Sequence, residues 1–167
     1  MEKIIKNYRI TDPRRIRVKH CLPSDIIGMY DLFSQEGCNK SENKFSNEQE
    51  GIYLDGIQER IARLYKTDKQ ASADFLICVN DNKIIMAEAK FRAKKVENLE
   101  LSSLKLKFEG SRALIYDLGG FSIENKLFVV YLKKLLTPSK ANKLSVQLGK
   151  RPRCQFVTAE QFYELFE

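Results

Sequence analysis

The stretch Asp74 to Lys90, DFLICVNDNKIIMAEAK, constrains the fold more than any other part of the chain. Two apolar runs, rich in β-branched and aliphatic residues, flank the polar tip Asn80-Asp81-Asn82. Asn and Asp at a break between such runs are turn chemistry, so the pattern predicts a β-hairpin with strands at about 73–79 and 83–91. Charged side chains at the far end from the turn interrupt the apolar character. Asp74 opens the first strand, and Glu88 and Lys90 stand near the end of the second.

Residues i and i+2 of a strand share a face, so Glu88 and Lys90 point the same way with Ala89 turned between them. Asp74 joins them only in one register. A three-residue loop of Asn80, Asp81 and Asn82 pairs Val79 with Lys83 and sets Asp74 opposite Glu88, whereas a two-residue loop turns Asp74 to the other face. Asn82, at the last loop position, is a residue type that tolerates the left-handed region favoured there. The expectation is two carboxylates and an ammonium side by side on one face. Such a trio is costly to bury without a purpose.

At these residues the chain resembles the PD-(D/E)XK nuclease superfamily, which carries an Asp at the start of one strand and (Asp/Glu)-x-Lys on the next. The matching positions are Asp74 and Glu88-Ala89-Lys90; Ala73 stands in place of the family's proline, which is often missing in the family. The spacing (Asp/Glu)-x-Lys also occurs at Glu42-Lys44, Asp81-Lys83 and Glu124-Lys126. Those three fall in a polar stretch, in the hairpin turn and ahead of a strand. Only Glu88-Lys90 ends an apolar strand preceded by an Asp-led one. A structural ion pair at a strand end is the competing reading.

The resemblance covers about residues 46–134 and implies a three-layer α/β sandwich with a central mixed sheet flanked by helices. It also implies Mg²⁺ or Mn²⁺, hard cations with oxygen ligands. Asp74 and Glu88 would be the main ligands and the Ala89 carbonyl a third. A helix ahead of the hairpin often adds a Glu in this family, for which Glu50 is the first candidate and Glu59 the reserve. The implied chemistry is phosphodiester hydrolysis, most readily as a DNA endonuclease. The metal would activate a water and polarise the phosphate, and Lys90 would orient the water and stabilise transition-state charge. DNA is expected ahead of RNA, and cutting both strands would favour a homodimer.

A chain of 167 residues suits one domain with a real core. Its net charge of +7 suggests a polyanionic partner, although lysine-rich surfaces are also simply soluble ones. Cys21, Cys38, Cys78 and Cys154 form no CxxC pair, which argues against zinc or iron–sulfur binding and for free thiols in a reducing cytoplasm. His20 is the only histidine, so an imidazole-built metal site is excluded. The N-terminus has no signal-peptide pattern, and no apolar run approaches membrane-spanning length. Repeats, low complexity and a Gly-rich phosphate loop are all missing from the sequence.

Residues 1–20 form a basic arm in which Ile4, Ile5, Ile16 and Val18 could make short strands. Arg14 and Arg15 would touch phosphates if the arm binds nucleic acid, but a solvated basic strand is slightly favoured. Ser24 is expected to cap a helix reaching Gln35, followed by a polar loop at 37–45. Ser46 and Gln49 fit a capping box for a second helix running to about Lys66, with Leu54, Ile57, Ile61 and Leu64 on its apolar face. Continuing that stripe backwards reaches Glu50, either as a site carboxylate or as a first-turn charge suited to the helix dipole. Arg92, Lys94 and Lys95 follow the hairpin directly and are placed to touch a nucleic-acid backbone.

A helix from about Leu99 to Leu118 follows, bent or broken at Gly110 and stopped by Gly119-Gly120. Leu127 to Leu132 reads as a buried strand. A weak helix from Pro138 to Gln147, a basic patch of Lys150, Arg151 and Arg153, a short strand at 153–157 and a helix capped by Thr158 with Gln161 complete the chain. Two alternatives compete with a nuclease: a non-catalytic nucleic-acid-binding module, and a protein-interaction domain whose basic surface is incidental.

Overall fold

A computed structural model of the chain describes residues 8–96, 101–148 and 152–167. Its centre is a six-stranded mixed sheet. In chain order the strands are β2 (Ile26–Gly28), β3 (Glu50–Tyr53), β4 (Phe75–Val79), β5 (Lys83–Ala89), β7 (Ser122–Tyr131) and β8 (Arg153–Thr158), and they lie side by side in that same order. The first four pair antiparallel, while β5, β7 and β8 run parallel. Parallel neighbours need a crossover connection. Here the crossovers are the helices α3 (Leu101–Leu114) and α4 (Pro138–Leu148). A separate antiparallel pair, β1 (Arg17–Val18) and β6 (Ile115–Asp117), lies outside the main sheet.

Both faces of the sheet are covered, the layering of a three-layer sandwich. On one face Leu76, Cys78, Ile84, Met86, Leu127 and Val129 pack with Leu54 and Ile57 of α2 (Leu54–Tyr65), Leu104 and Phe108 of α3, and Leu144 of α4. On the other, Phe75, Ile77, Val79, Ile85, Phe128 and Val130 meet α1 (Met29–Gln35) and α5 (Ala159–Glu164). The second core is aromatic. Phe162 of α5 stacks near Phe33 at 6.0 Å and lies edge-on to Phe128 at 5.3 Å. Strands buried on both faces read as continuous apolar runs, which is why the β4 and β7 segments stand out in the sequence.

The hairpin has the predicted register, with Val79 opposite Lys83 and Phe75 opposite Ala87. Its turn differs in detail. The left-handed residues are Asn80 (φ 56°) and Asp81 (φ 58°) rather than Asn82. The Asn82 N–H donates to the Val79 carbonyl at 3.2 Å. Two positive-φ residues inside such a turn match the right-handed twist of the flanking strands, and Asn and Asp carry that conformation at low cost.

Four expected elements change. The helix expected after Ser24 is divided: Pro23–Asp25 form a 3₁₀ turn, Ile26–Gly28 are strand β2, and α1 begins only at Met29. The helix expected from Ser46 starts at Leu54, because Glu50–Tyr53 is strand β3, paired on both sides by β2 and β4. Sheet pairing overrides a weak capping signal there. Gly110 lies inside α3, which ends at Leu114 and passes straight into β6. The long strand begins at Ser122, earlier than its apolar run, and ends at Tyr131. Ile4, Ile5, Leu99, Lys150 and Arg151 fall outside the described residues.

Candidate functional site

Asp74, Glu88 and Lys90 come together. Extending the hairpin register one step past Phe75–Ala87 sets Asp74 opposite Glu88. Alternation puts all three on the α3 side of the sheet, since Leu76, Met86 and Ile84 on the same phase belong to that core. Asp74 is fastened in place: its Oδ2 accepts the Ala89 N–H at 2.7 Å, and its carbonyl accepts the Leu54 N–H at 2.9 Å. Lys90 is held by its own N–H, which donates to the Val130 carbonyl at 2.7 Å. The cluster stands at the carboxyl ends of the parallel strands, where open α/β sheets bind ligands.

Glu88 is 3% exposed, and its Oε2 makes no well-formed hydrogen bond. The nearest cation to that oxygen is Lys107 Nζ of α3, at 2.9 Å. The distance is that of a close ion pair. Burial, followed by a hydrogen bond and repulsion from the Asp74 carboxylate, raises the Glu88 carboxyl well above the usual carboxylate range. Lys107 only partly offsets this. Burial lowers the Lys90 ammonium, with Glu88 opposing and Lys107 assisting. Burial acts to lower the Lys107 ammonium, but its interactions with Glu88, Asp74 and Lys90 together raise it.

Lys107 is a member of the cluster that the sequence reading missed. Its signal was available: it stands three residues after Leu104 and four before the buried Ser111, on the inward stripe of α3. A lysine on that stripe requires a buried partner. A second missed neighbour is Glu36, just past the end of α1. Burial and then the charge of Asp74 push its carboxyl up to about 7, with a Tyr53 hydrogen bond opposing. Asp55, in the first turn of α2, adds to the same acidic field.

Other expected residues lie elsewhere. Glu50 is in β3, four residues from Leu54 and so about 13 Å along the strand from the level of Asp74. Its carboxylate pairs with Arg14 at 2.9 and 3.3 Å. Glu59 is exposed and pairs with Lys69 at 3.6 Å. Neither supplies the helix carboxylate; Glu36 and Asp55 are the helix-borne acids nearest Asp74. Arg14 and Arg15 face the other end of the sheet. Arg14 also pairs with Asp12, and Arg15 with Asp81 at the hairpin tip while lying over the Phe121 ring.

Arg92, Lys94 and Lys95 are exposed beside the cluster. Arg92 is committed to the end of α1, where it donates to the Gln35 carbonyl at 2.9 Å. Lys94 instead lines a groove of about 630 Å³ with Phe91, Arg92, Ala93, Lys134 and Leu135. Neither Lys94, Lys95 nor Lys134 makes an ion pair among the described residues.

Among the described residues no group of three or more His, Cys, Asp or Glu side chains is arranged to hold a metal ion. Two carboxylates, Asp74 and Glu88, do lie together, with the Ala89 backbone bonded to one of them. Their donors are all oxygen, the type that hard dications take. The Glu88 carboxylate, buried next to the like charge of Asp74, is a place where a cation is held, and Lys107 occupies it. The donor set therefore fits Mg²⁺ or Mn²⁺, provided that Lys107 yields its place on Glu88. All four cysteines are free thiols, and no helix among the described residues is long and apolar enough to cross a membrane. Comparison of the chain with protein-family models, with curated proteins and with solved structures finds no match in any of the three.

Proposed function

We propose that the chain is a metal-dependent phosphodiester hydrolase, a DNA endonuclease with a restriction-endonuclease-like fold similar to the PD-(D/E)XK nucleases. The observation that carries this reading is the buried Glu88 carboxylate facing Asp74 across the hairpin, with Lys90 on the same face. The antiparallel hairpin, crossover helix α3 and parallel strand β7 also belong to a mixed sheet flanked by helices, the architecture that the resemblance implies. Asp74 and Glu88 would hold Mg²⁺ or Mn²⁺, with the Ala89 carbonyl as a further oxygen. The bound ion supplies charge neutralisation and activation of water.

Asp74 is pre-oriented by the Ala89 N–H, which keeps one oxygen engaged and leaves the other for the ion. Lys90 projects beside both carboxylates, where its ammonium can orient the attacking water and hold charge that develops on the phosphoryl oxygens. The groove past Lys94 and Lys134 offers unpaired cations for the flanking phosphates. DNA in the cytoplasm is the proposed substrate, and cleavage of both strands would call for two copies of the chain.

The decisive experiment incubates the protein with plasmid, linear, single-stranded and branched DNA and with RNA, in Mg²⁺ or Mn²⁺ against a chelator. Cleavage in the metal arms alone is expected. Lys90→Ala should keep DNA affinity and lose at least about 100-fold in cleavage rate. Cleavage that persists at the wild-type rate in Asp74→Ala or Lys90→Ala sinks the proposal.

One observation favours a second reading, that of a non-catalytic nucleic-acid-binding module. Lys107 already balances Glu88 without a metal. Salt-dependent affinity for nucleic acid with no cleavage under any metal condition would select that reading.

A further inference from the structure

The position of Lys107 is fixed by close packing of its helix. α3 lies against residues 71–73, immediately before Asp74, and the approach is so tight that a Cβ at Gly110 would collide with the Ala71 carbonyl oxygen. Ser111, fully buried, clasps the two segments. Its Oγ accepts the Ala73 N–H at 2.7 Å and donates to the carbonyl of Lys107 itself at 2.8 Å. Leu104 and Phe108 seat the same face of the helix in the core. The backbone of Lys107 is thus tied by one hydroxyl to the residue next to Asp74, and its ammonium is delivered to Glu88 Oε2 at 2.9 Å.

Formal charges show what this delivery accomplishes. With Glu88 ionised, as metal binding requires, Asp74 and Glu88 bring two negative charges and Lys90 and Lys107 two positive, so the four side chains already balance without a metal. A dication added to all four would leave a net double positive charge in a partly buried site, which is expensive. With Lys107 withdrawn, the dication, both carboxylates, Lys90 and one phosphodiester sum to zero. Lys107 can withdraw: its side chain is 23% exposed, and lysine is a flexible point charge rather than a rigid fork.

We propose that Lys107 is the resident counter-cation of the site, seated where a divalent ion binds Glu88, so that metal must displace it and metal affinity is set by that competition. The inference rests on reading Asp74 and Glu88 as a metal site. It adds a property that the reading does not require: Lys107 opposes metal binding. Its role is one of positioning and competition in the metal-free protein.

The experiment titrates metal-free full-length protein with Mn²⁺, following the free ion by electron paramagnetic resonance and bound heat by calorimetry. Lys107→Met should bind Mn²⁺ about tenfold more tightly or better. Lys107→Arg, which keeps the charge, should bind no more tightly than the wild type, and Lys105→Met, which removes an exposed charge from the same helix, should bind like the wild type. Should Lys107→Met bind no more tightly while Glu88→Gln weakens binding, the metal site stands and the counter-cation role is overturned. Failure of both wild type and Lys107→Met to bind Mn²⁺ overturns the metal reading and the inference together.

A measurement on the unsubstituted protein covers the case in which Lys107→Met does not fold. The side-chain resonance of Lys107 should move to a solvent-like position on saturation with Mg²⁺. A resonance that stays fixed while Mg²⁺ binds would overturn the proposal.

Discussion

Glu36 is the side chain whose titration reports most directly on the acidic end of the sheet. Its folded value of about 7 arises from burial and from the charge of Asp74, against an ordinary value of 4.5. Below the ordinary value the carboxyl is protonated in both folded and unfolded chains. Between the two values the folded chain alone keeps the proton, so stability from this group falls as pH rises through that interval. Glu36→Gln removes the titration. It should leave stability unchanged near pH 4 and raise it by about 1 kcal/mol at pH 8, a figure reduced because the group is partly exposed. Urea unfolding at both pH values checks the difference; equal effects at pH 4 and pH 8 would exclude this origin. Glu36 was not legible in the sequence, because it is polar, follows a short helix and reaches Asp74 only through the tertiary packing of α1. Asp74, Glu88 and Lys90 were legible, because a charge inside an apolar strand is visible without coordinates.

At the scale of elements, Gly110 makes the strongest stability claim. Alanine is the better helix former by about 1 kcal/mol, so an ordinary helical glycine would gain from replacement. Here the added methyl meets the Ala71 carbonyl oxygen, a backbone atom that cannot swing aside. Overpacking of this kind costs about 1–3 kcal/mol. Because the clash is with backbone the cost lies at the upper end of that range, and after the helix gain Gly110→Ala should destabilise the protein by about 2 kcal/mol in chemical denaturation; unchanged or increased stability would show that α3 stands further from residues 71–73. The sequence suggested a break at Gly110, since glycine weakens helices; close approach of a second backbone was not visible to it. The same limit explains β2 and β3. Ile26–Gly28 and Glu50–Tyr53 are short, and adjacent capping residues make each look like the start of a helix, yet pairing in the sheet claims them. The hairpin was readable down to its register because loop length alone sets which residues face each other.

Over the whole molecule, positive charge is divided between the two ends of the sheet, and the ends differ in how it is used. At the hairpin tip Arg9 and Arg15 are paired with Asp81, and Arg14 with Asp12 and Glu50. Five strand steps separate Asp74 from Val79, so this end is about 17 Å or more from the carboxylates. The latched arginines hold the N-terminal arm to the turn, a structural use of a basic sequence. At the other end Lys94, Lys95 and Lys134 have no acidic partner among the described residues; Lys94 and Lys134 border the groove next to Lys90, and Lys95 is exposed beside it. Net charge alone could not distinguish the two, because a paired arginine and an unpaired lysine count equally in a composition. Their energetic consequences differ: each unpaired cation that meets a phosphate releases counterions, and a paired one must first give up its carboxylate. Replacing Lys94, Lys95 and Lys134 together by alanine should lower nucleic-acid affinity and flatten the slope of log affinity against log salt by about 2–3. The Arg14→Ala/Arg15→Ala double variant should leave the slope unchanged while lowering stability slightly. Affinity measured by fluorescence anisotropy across a salt series separates the two ends, and a slope that falls with the arginines rather than the lysines would move the binding face to the hairpin tip.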